Sequence, residues 1–133
     1  MQAVKARITK ALPVGSHIEA CDNSGAKRIK IFSVMQQKTR KGRVPAAGVG
    51  DMVMASVKRG RPDMRKKTVF AVIARQKKEF RRPDGTRIKF EDNAAIVVKD
   101  KKGNPQGSLI KGPVAKEVCE RWPLIAKLVK IVA

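Results

Sequence analysis

Apolar and polar residues alternate between Arg28 and Met35: Ile29 and Ile31 share one face, Arg28 and Lys30 the other. That period of two predicts a half-buried strand. Val4–Ile8 and Ile18–Cys21 are weaker runs of the same kind. Asp51–Lys58 is short, apolar and flanked by Gly50 and Gly60. Val69–Ala74, rich in Val and Ala, predicts a strand through the centre of a sheet or barrel, and Arg87–Phe90 and Ala94–Val98 continue the series. Between these runs lies turn chemistry: Asp22-Asn23-Ser24-Gly25, then Lys101-Lys102-Gly103-Asn104 and Pro105–Gly107. Pro83-Asp84-Gly85, set between Phe80–Arg82 and Thr86–Phe90, predicts a hairpin. The period changes after Gly112-Pro113. Val114, Ala115, Val118, Cys119 and Trp122 recur at helical spacing. Pro123 ends that helix and opens a second, carrying Leu124, Ile125, Leu128, Val129 and Val132. Short, evenly spaced strands followed by two short helices predict a mainly β chain: a small closed barrel that removes its own edges, with a projecting basic hairpin.

The chain has 133 residues, of which 42% are hydrophobic. That suits one domain with a compact core: residues 1–111 as barrel, loops and hairpin, and residues 112–133 as C-terminal helices. Met1–Leu12 mixes Lys5, Arg7 and Lys10 among small apolar residues, so no targeting segment is expected. No apolar run is long enough to span a bilayer as a helix. The only cysteines, Cys21 and Cys119, are expected to be reduced, and the cytoplasm is the expected compartment. No membrane role is expected.

Charge changes the picture most. There are 31 Lys and Arg against 11 Asp and Glu, a net charge of +20. Residues 1–89 hold 23 of the bases and 6 of the acids. Seven bases lie in Lys27–Arg43 with no acid among them, six in Lys58–Lys67 and seven in Arg75–Lys89. Such self-repulsion contributes nothing to folding and implies a polyanionic partner. The candidate phosphate-binding residues are Lys38, Arg40, Lys41 and Arg43; Lys58, Arg59, Arg61, Arg65, Lys66 and Lys67; and Arg75, Lys77, Lys78, Arg81 and Arg82. Each would act through charge and phosphate hydrogen bonds, with Arg able to bind bidentately. Only five aromatic side chains exist, so backbone and shape would be read more than loose bases. Phe70 and Phe90 fit core positions. Phe80, beside Arg81 and Arg82, is the candidate stacker.

Catalytic parts are missing from the pattern. His17 is the only histidine and has no Cys or second His at zinc-ligand spacing. Gly48-Val49-Gly50-Asp51 lacks the Lys-Ser or Lys-Thr of a phosphate loop and the third Gly of a dinucleotide fingerprint. It reads better as a tight turn entering a strand. Nothing in the spacing of Asp22, Asp51, Glu91 and Asp92 requires a metal cluster. No enzyme, cofactor or metal is expected.

Five motifs in order complete the reading: Asp22-Asn23-Ser24-Gly25-Ala26, Gly48-Val49-Gly50-Asp51, Arg81-Arg82-Pro83-Asp84-Gly85, Phe90-Glu91-Asp92-Asn93-Ala94 and Gly112-Pro113-Val114. Together they resemble the universal large-subunit ribosomal protein family numbered fourteen, from about Val4 onward. Arg43-Val44-Pro45-Ala46-Ala47-Gly48 and Gly60–Lys67 look like its archaeal and eukaryotic branch, and the short N-terminus leans archaeal. Ala74 departs from the family, which usually has a larger aliphatic there.

The resemblance implies a five-stranded barrel with no catalytic activity. It implies binding to large-subunit rRNA, a contribution to intersubunit bridges with small-subunit rRNA, and contact with neighbouring large-subunit proteins. An anti-association initiation factor is expected to dock on the region Val114–Ala133. For the C-terminal helices two readings stand: a partner surface through Val114, Val118, Trp122, Leu124 and Leu128, or closure of the barrel. The rival functions are a free single-strand RNA-binding barrel, which predicts several exposed aromatics, a nuclease or RNA-modifying enzyme, and a duplex-binding chromatin protein.

Overall fold

The computed structural model describes residues 7–35 and 37–133. In chain order the strands are β1 (Leu12–Pro13), β2 (His17–Ala20), β3 (Ala26–Val34), β4 (Ala46–Ala47), β5 (Met52–Gly60), β6 (Thr68–Arg75), β7 (Phe80–Arg81), β8 (Arg87–Ile88), β9 (Ala94–Val98), β10 (Pro113–Val114) and β11 (Ile131–Val132). Helices α1 (Lys116–Arg121) and α2 (Pro123–Ala126) lie between the last two strands. Five strands close a barrel in the order β2-β3-β5-β6-β9. All its pairs are antiparallel except β2 with β9, which seals it in parallel through Glu19 opposite Ala94 and Ala20 opposite Ala95.

The alternation seen in the sequence decides what fills the barrel. Ile18, Ile29, Ile31, Val53, Ala55, Val57, Ala71, Ile73, Ala95 and Val97 form the inner core. The other faces of β6 and β9, and the start of β5, are largely apolar too. Met52, Val72, Ala74, Ile96 and Val98 form a second core with Val114, Val118, Trp122 and Ile125. This explains why Ala94–Val98 is an unbroken apolar run: both its faces are buried, one in the barrel and one beneath the helical segment. Ala74, the family departure, belongs to this outer core.

The C-terminal segment covers an outer face of the barrel. Val114, Val118 and Trp122, expected as partner-facing, are buried, and Leu124 and Leu128 stay half-buried. The second helix is also shorter than predicted. It ends at Ala126, and Ile131–Val132 instead pairs in parallel with Pro113–Val114. The apolar spacing reports packing of Ile125, Leu128 and Val129 on the outer core, not one continuous helix, and Val132 is exposed. Of the weak run Val4–Ile8, residues 4–6 lie outside the described residues, and Arg7 and Ile8 form no strand. The predicted Arg87–Phe90 strand shortens to Arg87–Ile88.

Candidate nucleic-acid interface

Strand register sorts the basic segments. Val34 of β3 faces Val53 of β5, while Ala26 faces Gly60 at their other ends. The Lys38–Arg43 loop thus leaves the barrel at one pole. The excursion from Arg75 to Ala94, which carries the hairpin, leaves β6 at that same pole, because Arg75 pairs with Ala94. The 61–67 loop leaves at the opposite pole, beside the Asp22–Gly25 turn. The basic side chains form two polar caps on a rigid barrel, not a single face.

At the first pole Lys38, Arg40, Lys41 and Arg43 are all exposed. Lys41 and Gly42 take left-handed φ values of 56° and 70°, and Arg43 donates its amide to the Arg40 carbonyl at 3.3 Å. The hairpin is turned by a chain of hydrogen bonds. Arg82 donates its amide to the Thr86 carbonyl at 2.9 Å, and the Asp84 carboxylate accepts from the Thr86 amide and hydroxyl. Those bonds, the hydroxyl's first, hold the Asp84 carboxyl below its ordinary pKa. Lys77, Lys78 and Arg81 are exposed along this excursion.

Two expected members are spent inside the protein. Arg75 is 9% exposed. It donates to Asp92 through Nε at 2.9 Å and Nη2 at 3.2 Å, and through Nη1 to the Lys111 and Pro113 carbonyls. Gly112 makes room, since a Cβ there would stand 2.5 Å from Arg75 Nη1. Arg82 donates through Nε to Glu117 Oε1 at 2.7 Å. Desolvated guanidinium groups held by carboxylates fasten the hairpin and β10 to the barrel. Both guanidinium groups are thus committed within the protein. Phe80 is likewise buried at 1% exposure, with Arg82 over its ring at 5.9 Å, so it cannot stack on a base. The exposed aromatic is Phe32 at 45%, on the outward row with Arg28 and Lys30. Alternation alone places it there, next to a base every second residue.

At the second pole the 61–67 loop hangs on one apolar residue. Met64 is buried and packs into the inner core, while Arg61, Arg65, Lys66 and Lys67 face solvent with Lys58 and Arg59 of β5. Lys66 has a left-handed φ of 64°, and its amide donates to the Val57 carbonyl at 3.0 Å. Arg61 lies across Gly25 and donates Nη2 to the Ser24 carbonyl at 3.0 Å. A Cβ on Gly25 would collide with the Arg61 guanidinium.

The acidic motif residues brace these loops. Asp22 is buried, accepts from the Val97 amide at 3.0 Å and the Ser24 hydroxyl at 2.8 Å, and is pushed up in pKa by burial. Asn23 Oδ1 accepts from the Ser108 and Leu109 amides. Asp51 accepts from the Gly48 amide, Lys10 and Arg121 Nη1, and Trp122 donates Nε1 to the Gly50 carbonyl at 2.8 Å. So Gly48–Asp51 is a turn entering β5 that also clamps α1. Burial pushes the Cys21 thiol up to about 12. Both cysteines are free. Among the described residues no three His, Cys, Asp or Glu side chains group as a metal site, and no helix is long and apolar enough to cross a membrane. His17 is exposed, in register with Lys30.

Comparison with known proteins agrees with this architecture. The family model described as Ribosomal protein L14p/L23e matches residues 11–133. The chain is 52% identical over 132 residues to the large ribosomal subunit protein uL14 of Nanoarchaeum equitans, and 52% identical to that of Thermoplasma acidophilum. It is 50% identical to the uL14 of Methanococcus maripaludis, and in all three cases 99% of each chain is covered. Ordered motifs, a closed five-stranded barrel and near full-length identity to archaeal relatives coincide. The chain belongs to the ribosomal protein L14p/L23e family, in its archaeal form.

Proposed function

We propose that this protein is a structural constituent of the large ribosomal subunit that binds large-subunit rRNA through the two basic poles of its barrel. The carrying observation is the placement of the charge. Lys38, Arg40, Lys41 and Arg43 at one pole, and Lys58, Arg59, Arg65, Lys66 and Lys67 at the other, are exposed and have no ion pair among the described residues. Lys77, Lys78 and Arg81 join the first pole, and Arg61 the second. The barrel holds these groups in fixed relation, so they suit a folded RNA whose phosphates are fixed too. If six phosphates are engaged, affinity falls roughly thousandfold between 50 and 200 mM salt.

Family membership supports the ribosome, and hence the cytoplasm, as its place of work. Intersubunit bridging assigns some of these bases to small-subunit rRNA. The half-buried Leu124 and Leu128, with exposed Ile131 and Val132, offer apolar surface to a neighbouring large-subunit protein or to an anti-association initiation factor. A free single-strand-binding barrel is disfavoured, because Phe32 alone among the aromatics is exposed.

Sedimentation of the tagged chain in a cell lysate tests the proposal. Migration with large subunits is expected, together with salt-dependent binding of purified large-subunit rRNA. Accumulation in free fractions, or on DNA, would overturn it.

A further inference from the structure

At the second pole, β3 and β5 set Arg28 and Arg59 directly opposite each other. Like charges at such positions destabilise a sheet. Neither arginine has an ion pair within 4 Å among the described residues. The surface depression there is lined by Lys27, Arg28, Arg59 and Lys111, with Glu19 and Ala20. Four cations face one carboxylate, and Glu19 stands in register with Arg28 on the other side, on β2. Asp63 lies beside Arg61, and Asp22 is held in its buried bonds to Ser24 and Val97.

The backbone is shaped to produce this arrangement. Register shifts on either side of Arg28 let Lys27 and Arg28 both face solvent, which a regular strand would forbid. Lys111 is fixed by its amide, which donates to the Cys21 carbonyl at 2.6 Å, and by its carbonyl, which accepts from Arg75 Nη1 at 3.0 Å. The four cations therefore spring from barrel strands and a pinned segment, not from free loops. Preorganised positive charge in excess of its one internal carboxylate, Glu19, is what an external anion requires.

We propose that this depression is a phosphate site of the RNA interface: a backbone phosphodiester shared by the Arg28 and Arg59 guanidinium groups, with Lys27 and Lys111 at its rim. The proposal rests on the rRNA-binding reading and deepens it. Two facing guanidinium forks can each offer paired N–H donors to phosphate oxygens. The anion then removes the repulsion that the free sheet carries. Lys27, Arg28 and Lys111 thereby join a site of which the candidate phosphate-binding residues included only Arg59.

The test compares the wild type, Arg28→Gln/Arg59→Gln and a control with the same charge loss, Lys127→Gln/Lys130→Gln. Binding to purified large-subunit rRNA is measured across a salt series, and thermal midpoints are measured without RNA. The site variant should lose tenfold or more in affinity, and its log–log salt slope should become shallower by about 1 to 2. Its RNA-free midpoint at low salt should equal or exceed the wild type's, because a like-charge pair has gone. The control should keep the wild-type slope. Wild-type affinity and slope in the site variant would sink this site alone, as would a lowered RNA-free midpoint. Failure of the wild type to bind rRNA would sink the ribosomal reading and this site with it. A midpoint rise specific to inorganic phosphate, abolished in the site variant while rRNA binding persists, would make free phosphate the ligand and overturn the backbone assignment.

Discussion

Arg82 at the root of the hairpin and Glu117 on α1 form an ion pair with side chains 9% and 8% exposed, Nε to Oε1 at 2.7 Å and Nη2 to Oε2 at 3.3 Å. Arg82 Nη2 also donates to the Ala133 carbonyl at 2.6 Å. Arg81, its neighbour, is exposed and makes no such bond. Adjacent arginines in one hairpin thus face different tasks: one anchors the arm and the other presents charge.

The two residues should therefore separate in mutagenesis. Arg82→Ala leaves a buried carboxylate without its partner and should cost about 3 kcal/mol of stability. Arg81→Ala should change stability by no more than about 0.5 kcal/mol, yet weaken rRNA binding. Urea unfolding followed by tryptophan fluorescence reads the first effect, and a salt-series binding assay the second. An unchanged unfolding midpoint in Arg82→Ala would show that the pair is not an anchor.

Trp122 ties the helical segment to the turn before β5 by donating Nε1 to the Gly50 carbonyl. Trp122→Phe keeps most of the apolar area but leaves that carbonyl unpaired, which should cost about 1 to 3 kcal/mol. Gly103→Ala should be worse. Its φ is +92°, and a Cβ would stand 2.6 Å from Trp122 Cε3. Thermal melts followed by circular dichroism rank the two. A Gly103→Ala protein as stable as wild type would mean that the loop does not pack on the indole.

Burial also sets the thiol chemistry. Cys21 is in the core and its thiol is pushed up to about 12 by desolvation, so the reactive thiolate is scarce at neutral pH. Cys119 is only partly buried; its pKa is also raised, by burial first and then by Glu117 and Glu120. A maleimide reagent at neutral pH should label Cys119 first, and Cys21 only as the protein unfolds. Mass spectrometry of partially labelled protein identifies the site, and early labelling of Cys21 would contradict the packing.

Much of this barrel is legible in the sequence, for definite reasons. Period-two alternation in β3 and the apolar runs of β5, β6 and β9 report which faces meet a core. The strands run slightly past the apolar runs, since Arg59 and Gly60 extend β5 beyond Lys58. Charge was harder to place. Asp92 and Glu117 lie 17 and 35 positions from Arg75 and Arg82, so no local pattern marks those two bases as internal. A faint signal existed for Arg75, which ends the apolar run of β6. The like-charge pairing of Arg28 with Arg59 depends on strand register, which no single segment encodes. The tail misled for a related reason: Ile131–Val132 obeys its partner Pro113–Val114, with Ala133 donating its amide to the Val114 carbonyl at 2.9 Å, rather than its own helical spacing.

Asp22 gives the protein a pH dependence of distinctive sign. Desolvation by burial raises its pKa above the ordinary 3.8, outweighing the bonds from Ser24 and Val97 that lower it. The folded state then holds this proton more tightly than the unfolded state does. As pH rises from 3.8 through the raised folded value, this group removes stability, the reverse of a salt-bridged carboxylate. Asp22→Asn deletes the titration and also sets an amide N–H2 or a single oxygen where two acceptor oxygens were used. At neutral pH that lost acceptor should cost about 1 to 3 kcal/mol. The advantage of wild type over Asp22→Asn should be largest in acid and narrow toward neutrality. Urea midpoints of both proteins measured from pH 3 to 7 give that difference directly. Subtracting the variant removes whatever acid dependence both proteins share. A gap that widens as pH rises would mean that Asp22 is stabilised as an anion in the fold, and that its bonds to Ser24 and Val97 outweigh its burial.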